Sequence, residues 1–325
     1  MRVVRRSTIY TTTLLAVVVG GGVALVAGQR GLGWSALGLI PAALILAGGL
    51  RTAFRRRRVA RAPMPSDWRA WLRSHIPVYS QFDEGARARF ERDVRFVVNE
   101  YSFEGVQGVE VTDALRLSVA AGAALLLHGR PDWELPGSRS VVLYPARFNE
   151  SYYDGVDADY DGMAHQQGPI LLSAPSVRAS WADPGDADNV VLHELAHLFD
   201  FDNEGADGVP SFVAPASAAS WQALVRREMQ RVRRGRSILR PYAAEAPSEF
   251  FAVAVEVFFE QPGRMARHHE ELFAALVAFF HFDPRTGQAT AEPDPEAPGP
   301  LQERSADERE NAWAEADERP SEGEG

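Results

Sequence analysis

Cysteine is missing from all 325 residues, which excludes disulfides and cysteine catalysis and is compatible with a cytosolic domain. Acidic residues are missing from the first 62, which hold ten arginines. Excess positive charge is missing from the chain as a whole, whose formal net charge is −10. That argues against direct binding of nucleic acid, where affinity comes mainly from neutralised phosphates. Histidine is scarce, with eight in the chain, so any regularly spaced pair of them asks for an explanation.

The acid-free end contains two almost uncharged apolar runs, Ile9 to Ala27 and Gly31 to Leu50, of 19 and 20 residues. Each is near the ~20 residues that cross a bilayer as a helix. Only Gly28-Gln-Arg30 separates them, so they are predicted to form an antiparallel hairpin, with Gly20, Gly21 and Gly22 permitting close approach and Pro41 tolerated within the second span. Arg2, Arg5 and Arg6 precede the first run, and Arg51, Arg55, Arg56, Arg57, Arg58 and Arg61 follow the second. By the positive-inside rule both ends, and the domain beyond, face the cytoplasm. A cleaved signal peptide is the rival reading of Ile9 to Ala27, but a second span with a stronger basic stop follows at once. The Arg55 to Arg58 run suits the anionic headgroups of the inner leaflet and equally serves as a plain topology signal.

The pair of histidines that needs explaining is in Asn189-Val-Val-Leu-His-Glu-Leu-Ala-His-Leu-Phe-Asp200. His193 and His197 are four apart, on one face of a helix, and can grip one Zn²⁺, while Glu194 can act on a water that the metal activates. A plain helix carrying two histidines is the alternative. Against it, two buried imidazoles would each need a polar partner, and Asp186, Asp188 and Asn189 offer helix caps before an apolar run long enough to bury the segment.

Catalytic zinc takes three protein ligands, so a third is expected downstream. Glu249 is the best candidate, because it opens the strongly apolar segment Pro247 to Glu260, where a carboxylate without a cation is costly. Glu256, two turns on along the same face, and Asp200, three residues after His197, are candidates to orient a ligand imidazole. Tyr242 is a candidate donor to an oxyanion. Each has a plain alternative as a cap, a helix end or a packing residue. His75, His128, His165, His268, His269 and His281 show no ligand spacing and read as surface or packing residues.

His193-Glu-Leu-Ala-His-Leu-Phe-Asp200, followed by Tyr242-Ala-Ala-Glu-Ala-Pro-Ser-Glu249 and Glu256, resembles the Mlc titration factor A family of zinc metallopeptidases. The likeness runs from about Trp68 to Pro284 and includes Leu143-Tyr-Pro145, Gln167-Gly-Pro-Ile-Leu-Leu-Ser173 and Gly208-Val-Pro210. It implies a gluzincin-type fold, zinc on His193, His197 and Glu249, Glu194 as general base and Tyr242 as transition-state donor. It also implies peptide or protein substrates and a regulatory protein partner. The chain departs from the soluble prototype at both ends, which bears on the partner more than on the chemistry.

The expected organisation is a transmembrane hairpin over residues 1–62, a zincin-like α+β metallopeptidase domain over 63–285, and a disordered acidic tail over 286–325. That tail carries twelve acidic residues against three arginines and little apolar surface. Periodicity predicts helices over Ser66–Arg73, Glu84–Glu100, Thr112–His128, Ala218–Arg234 and Glu270–Phe280, besides the two site helices. Strands are predicted at Val109–Val111, Ser140–Tyr144 and Pro169–Leu172. If the strand before the metal helix is a sheet edge, an extended peptide can pair with it. The loop from Asn149 to His165 reads as a flexible lid, and its alternating Asp157, Asp159 and Asp161 as a solvated turn rather than a calcium loop.

Overall fold

In the computed structural model, residues 1, 6–146, 148–149, 159–160, 162–163, 168–183, 185–200, 210 and 217–290 are described. The first apolar run forms helix α1 (Arg6–Gly28). The second is split into a 3-10 segment (Leu32–Gly38) and helix α2 (Leu39–Arg61). Pro41 therefore does not interrupt a continuous span. It lies in the first turn of α2, where its missing N–H would have had no intrahelical partner. Close approach falls at Gly20 and Gly38, where an added Cβ would stand 2.8 Å from Ala42 Cβ and 2.7 Å from Ala24 Cβ respectively, whereas Gly21 and Gly22 meet open space. With a rise of ~1.5 Å per α residue and ~2.0 Å per 3-10 residue, each arm reaches about 30 Å, the thickness of a bilayer's hydrocarbon core. Both arms are long and apolar enough to cross a membrane.

Helix α2 does not stop where its apolar residues do. It continues through the basic collar and packs on α4 (Glu84–Glu100), after which Ala62-Pro-Met-Pro65 leads into α3 (Ser66–His75). Asp83 caps α4 by accepting from the Ala86 N–H at 2.7 Å, and Thr112 caps α5 (Asp113–Leu126) by accepting from the Leu115 N–H. Leu115 and residues 117–126 of α5 are buried. Helix α5 lies between α4 and α7 (Val190–Asp200), and it meets α7 at Gly122, where a Cβ would come within 2.7 Å of Val191 Cγ1.

A four-stranded sheet covers this helical layer in the order β1 (Ser102–Gly105), β2 (Ser140–Tyr144), β6 (Ile170–Ser173), β5 (Gly162–Met163). The first three strands are parallel, and β5 runs antiparallel to β6, with Gly162 opposite Leu172 and Met163 opposite Leu171. Two expectations are corrected here. The strand expected at Val109–Val111 lies instead at Ser102–Gly105, because a turn at Gln107 and Gly108, both with positive φ, ends the pairing with β2 before Val109. The strand before the metal helix is not an edge, since β2 and β5 flank β6 on its two sides.

The remaining strands and α-helices among the described residues are the small pairs β3 (Phe148–Asn149) with β4 (Asp159–Tyr160) and β7 (Phe282–Asp283) with β8 (Gln288–Ala289), and the helices α6 (Ala174–Ala179), α8 (Ala218–Arg233), α9 (Pro247–Glu260), α10 (Pro262–His268) and α11 (Glu270–Phe280). In α9, every residue from Phe250 to Phe259 is buried. At roughly 1.5–3 kcal/mol per large apolar side chain taken out of water, its phenylalanines and valines make α9 a pillar of the core. The result is a mixed helical unit around a small sheet. Most of the Asn149–His165 loop, including Asp157 and Asp161, and residues 291–325 of the acidic tail lie outside the described residues.

Candidate metal centre

Helix α7 starts where Asn189 accepts from the Leu192 N–H at 3.0 Å and, through its backbone carbonyl, from the His193 N–H at 2.9 Å. Of the three cap candidates, Asn189 makes that side-chain bond. All eleven residues of α7 are buried, and one face carries His193 and His197, whose Nε2 atoms stand 3.2 Å apart. Helix α9 packs against α7 and brings Glu249 Oε2 to 3.0 Å from His193 Nε2 and 3.5 Å from His197 Nε2.

These separations suit a metal. Three ligand atoms bound tetrahedrally at 2.0–2.2 Å stand roughly 3.4 Å from one another, and the three here all lie within 4.8 Å. Two imidazoles and a carboxylate are a donor set for zinc or a similar divalent ion. Burial alone would lower the pKa of His193, but its hydrogen bonds with Glu249 and Glu256 outweigh that and push it up to about 10. Burial likewise works against the Glu249 charge, and the two imidazoles outweigh it and hold that carboxyl well below the usual range. The polar atoms turned inward are thus held together by attraction that a divalent cation would replace.

Glu194 is buried on α7 beside the ligand candidates, directly under β5. A Cβ at Gly162 would stand 2.7 Å from Glu194 Oε1, so only glycine leaves that side chain its room. Tyr242, in the 3-10 turn Pro241–Ala244, has its ring 5.9 Å from that of His193. Burial, then the neighbouring Glu249 charge, raises its pKa above the ordinary phenol value. Asp200 is fully buried at the end of α7.

Glu256 is fully buried, and its Oε1 accepts from His193 Nδ1 at 2.7 Å. The Asn189 N–H donates to Oε2 at 2.6 Å. The sequence reading missed the third partner of Glu256. Arg240 grips both its oxygens, at 2.7 and 3.0 Å, and donates to Asp188 Oδ1 at 2.5 Å as well. Its signal was available as charge bookkeeping, since Glu194, Glu249 and Glu256 converge and Arg240 is the basic residue just before Tyr242. Of the histidines without ligand spacing, His75 stacks on Trp71, His128 packs among Phe82, Phe90 and Phe282, and His269 pairs with Glu228 at 2.6 Å. His165 lies outside the described residues.

A family model described as glucose-regulated metallo-peptidase M90 matches residues 50–281. An uncharacterized protein of Synechocystis sp. is 25% identical over 245 residues, covering 71% of this chain and 89% of that protein. Mlc titration factor A of Yersinia enterocolitica is 28% identical over 240 residues, covering 69% and 88%. The Escherichia coli O127:H6 protein of that name is 31% identical over 169 residues, covering 47% and 62%. The match to the family model begins at residue 50, the last residue of the second apolar run.

Proposed function

The chain belongs to the glucose-regulated metallo-peptidase M90 family, the family of Mlc titration factor A, and on that premise we propose that it is a zinc peptidase anchored in the membrane by residues 1–62, with its catalytic unit in the cytoplasm. The observation that carries this reading is the convergence of His193, His197 and Glu249 beside the buried Glu194. Zinc bound there would supply Lewis acidity, polarising a carbonyl and bringing the pKa of water down to ~7. In this mechanism Glu194 takes a proton from water and passes it to the leaving amine. Tyr242 donates its hydroxyl to the carbonyl oxygen as that carbon becomes tetrahedral. Glu256, held by Arg240 and the Asn189 N–H, fixes the His193 ring so that Nε2, turned toward Glu249 and His197, would be free to hold the metal. The peptide substrate pairs along the outer side of β5, the edge strand that lies on Glu194.

Metal analysis and peptide-library digestion of the full chain test this reading. Glu194→Gln should keep one zinc per chain and lose turnover, whereas His193→Ala or Glu249→Ala should lose the zinc. Full peptidase activity in Glu194→Gln would refute the role assigned to it. The name of the curated relatives supports a second reading, a regulatory protein that binds a partner with incidental turnover. Equal capture of a partner by the wild type and by Glu194→Gln, together with negligible cleavage of every peptide, would favour it.

A further inference from the structure

The basic collar is not a uniform row of charges. Among Arg55, Arg56, Arg57 and Arg58, only Arg56 is buried. It donates through Nε and Nη2 to the two oxygens of Glu100 at 2.5 and 2.7 Å, and through Nη1 to Glu134 at 2.8 Å. Arg139 closes the ring by donating to the same two carboxylates, at 2.7 and 2.6 Å. The four charges balance, and each arginine bridges both acids. A lysine ammonium has no planar fork to pair both oxygens of Glu100 while reaching Glu134, and the chain contains no lysine.

The grip extends along one face of α4. Arg56 lies over the Phe96 ring at 5.4 Å, Arg55 donates to the Asn99 carbonyl at 2.9 Å, and Arg95 donates to the carbonyls of Val59 and Ala62 at the end of α2. Residues 95, 96, 99 and 100 of α4 thus all serve the junction, at helical spacing. The connection beyond α2 is no flexible tether either. Four residues, Ala62-Pro-Met-Pro65, join α2 to α3, two of them prolines and Met64 buried.

We infer that the anchor and the peptidase unit form one rigid body joined at α4, and that its substrates are chains held at the same membrane face and cut within a limited distance of it. This rests on the peptidase and membrane readings of the proposed function. Arg56 stands about 7.5 Å along α2 beyond Arg51, the first charge after the apolar run, so the junction sits close to the headgroups. From α2 the path to the metal candidates crosses α4, α5 and α7, three packed steps of ~8–10 Å each. The cleft therefore lies within about 30 Å of the anchoring helix, a reach that roughly nine extended residues span. For a substrate in the same bilayer, this fixed reach converts into a high effective concentration, which a freely diffusing peptide does not enjoy.

The test uses the full chain in nanodiscs. Because the protein has no native cysteine, Arg30→Cys at the hairpin turn and Glu84→Cys at the start of α4 take spin labels cleanly. A single narrow distance distribution is expected, broadened by Arg56→Glu and left narrow by the same change at its exposed neighbour, Arg57→Glu. A distribution equally broad in the parent and in Arg56→Glu overturns the rigid junction. In a second arm, single-span model substrates carry one cleavage sequence at 2 to 30 residues from the bilayer. Cleavage should rise at least tenfold once the spacer nears nine residues and exceed that of the free peptide, and Arg56→Glu should flatten this dependence while leaving free-peptide cleavage unchanged. Spacer-independent cleavage in the parent protein overturns the proposal. Failure to cleave any peptide beside a narrow distance distribution counts against the peptidase reading alone, and release of the chain by carbonate extraction counts against the membrane reading.

Discussion

Replacing Arg240 by methionine should loosen the candidate metal centre without replacing any proposed ligand. Glu256 is fully buried and receives four hydrogen bonds, two of them from the Arg240 fork and one each from the Asn189 N–H and His193 Nδ1. Removing one member of a buried ion pair costs about 3–5 kcal/mol, because the other charge is left uncompensated. Arg240 is partly exposed, so water reaches the gap, and about 3 kcal/mol, the low end, is the better expectation. In a unit of this size that corresponds to a fall in Tm of roughly 6–12 °C. Loss of the group that holds a ligand's partner typically weakens metal binding about 10–100-fold. Chelator competition would measure the affinity, and thermal unfolding of the metal-free protein the stability. Arg240→Lys restores the charge but one hydrogen bond instead of two, and should fall between. Wild-type affinity and Tm in Arg240→Met would refute the idea that Arg240 fixes Glu256 and, through it, His193.

Gly162→Ala should retain metal and lose activity by about 10-fold or more, because the new Cβ displaces the Glu194 side chain; unchanged kcat with unchanged metal content would place Glu194 elsewhere during turnover. His128→Phe should blunt acid sensitivity. Burial pushes His128 down to about 4 against about 6.5 unfolded, so stability is complete above pH 6.5 and falls by about 3 kcal/mol as pH drops toward 4. Denaturation at pH 7 and pH 4.5 would show that loss in the parent and not in the variant. Glu260 behaves oppositely: burial, with Asp186 and Glu256 adding to it, pushes its pKa up to about 8. Its contribution is therefore lost as pH rises from about 4.5 to 8, and Glu260→Gln should gain stability relative to the parent at pH 8 but not at pH 5.

Elements whose own residues determine them were legible in the sequence. Strand β2 falls at the predicted Ser140–Tyr144 and α4 at the predicted Glu84–Glu100, the first an apolar run between turns and the second an apolar period behind the Asp83 cap. The placement of Glu249 beside His193 and His197 was legible for a different reason, because a carboxylate in so apolar a segment has few alternatives to a cation. Strand β1 was not legible, since Ser-Phe-Glu-Gly is four residues with one large apolar side chain and owes its extended form to pairing with β2. The true sheet edge was hidden likewise, as the two residues of β5 carry no pattern of their own. The Arg56 ring was hidden because Glu100 and Glu134 lie 44 and 78 residues from Arg56 and become its neighbours only in the folded chain.

The brevity of β5 makes alignment, not chemistry, its vulnerable property. Gly162 is opposite Leu172, on the side that meets α7, and Met163 is opposite Leu171. Because neighbouring residues of a strand alternate sides, sliding by a single position would exchange the two. A thioether would then fill the space the proposed general base needs, while His193, His197 and Glu249 stayed in place. Length changes in the chain leading to this strand are therefore a route by which a relative could keep its ion and fall silent.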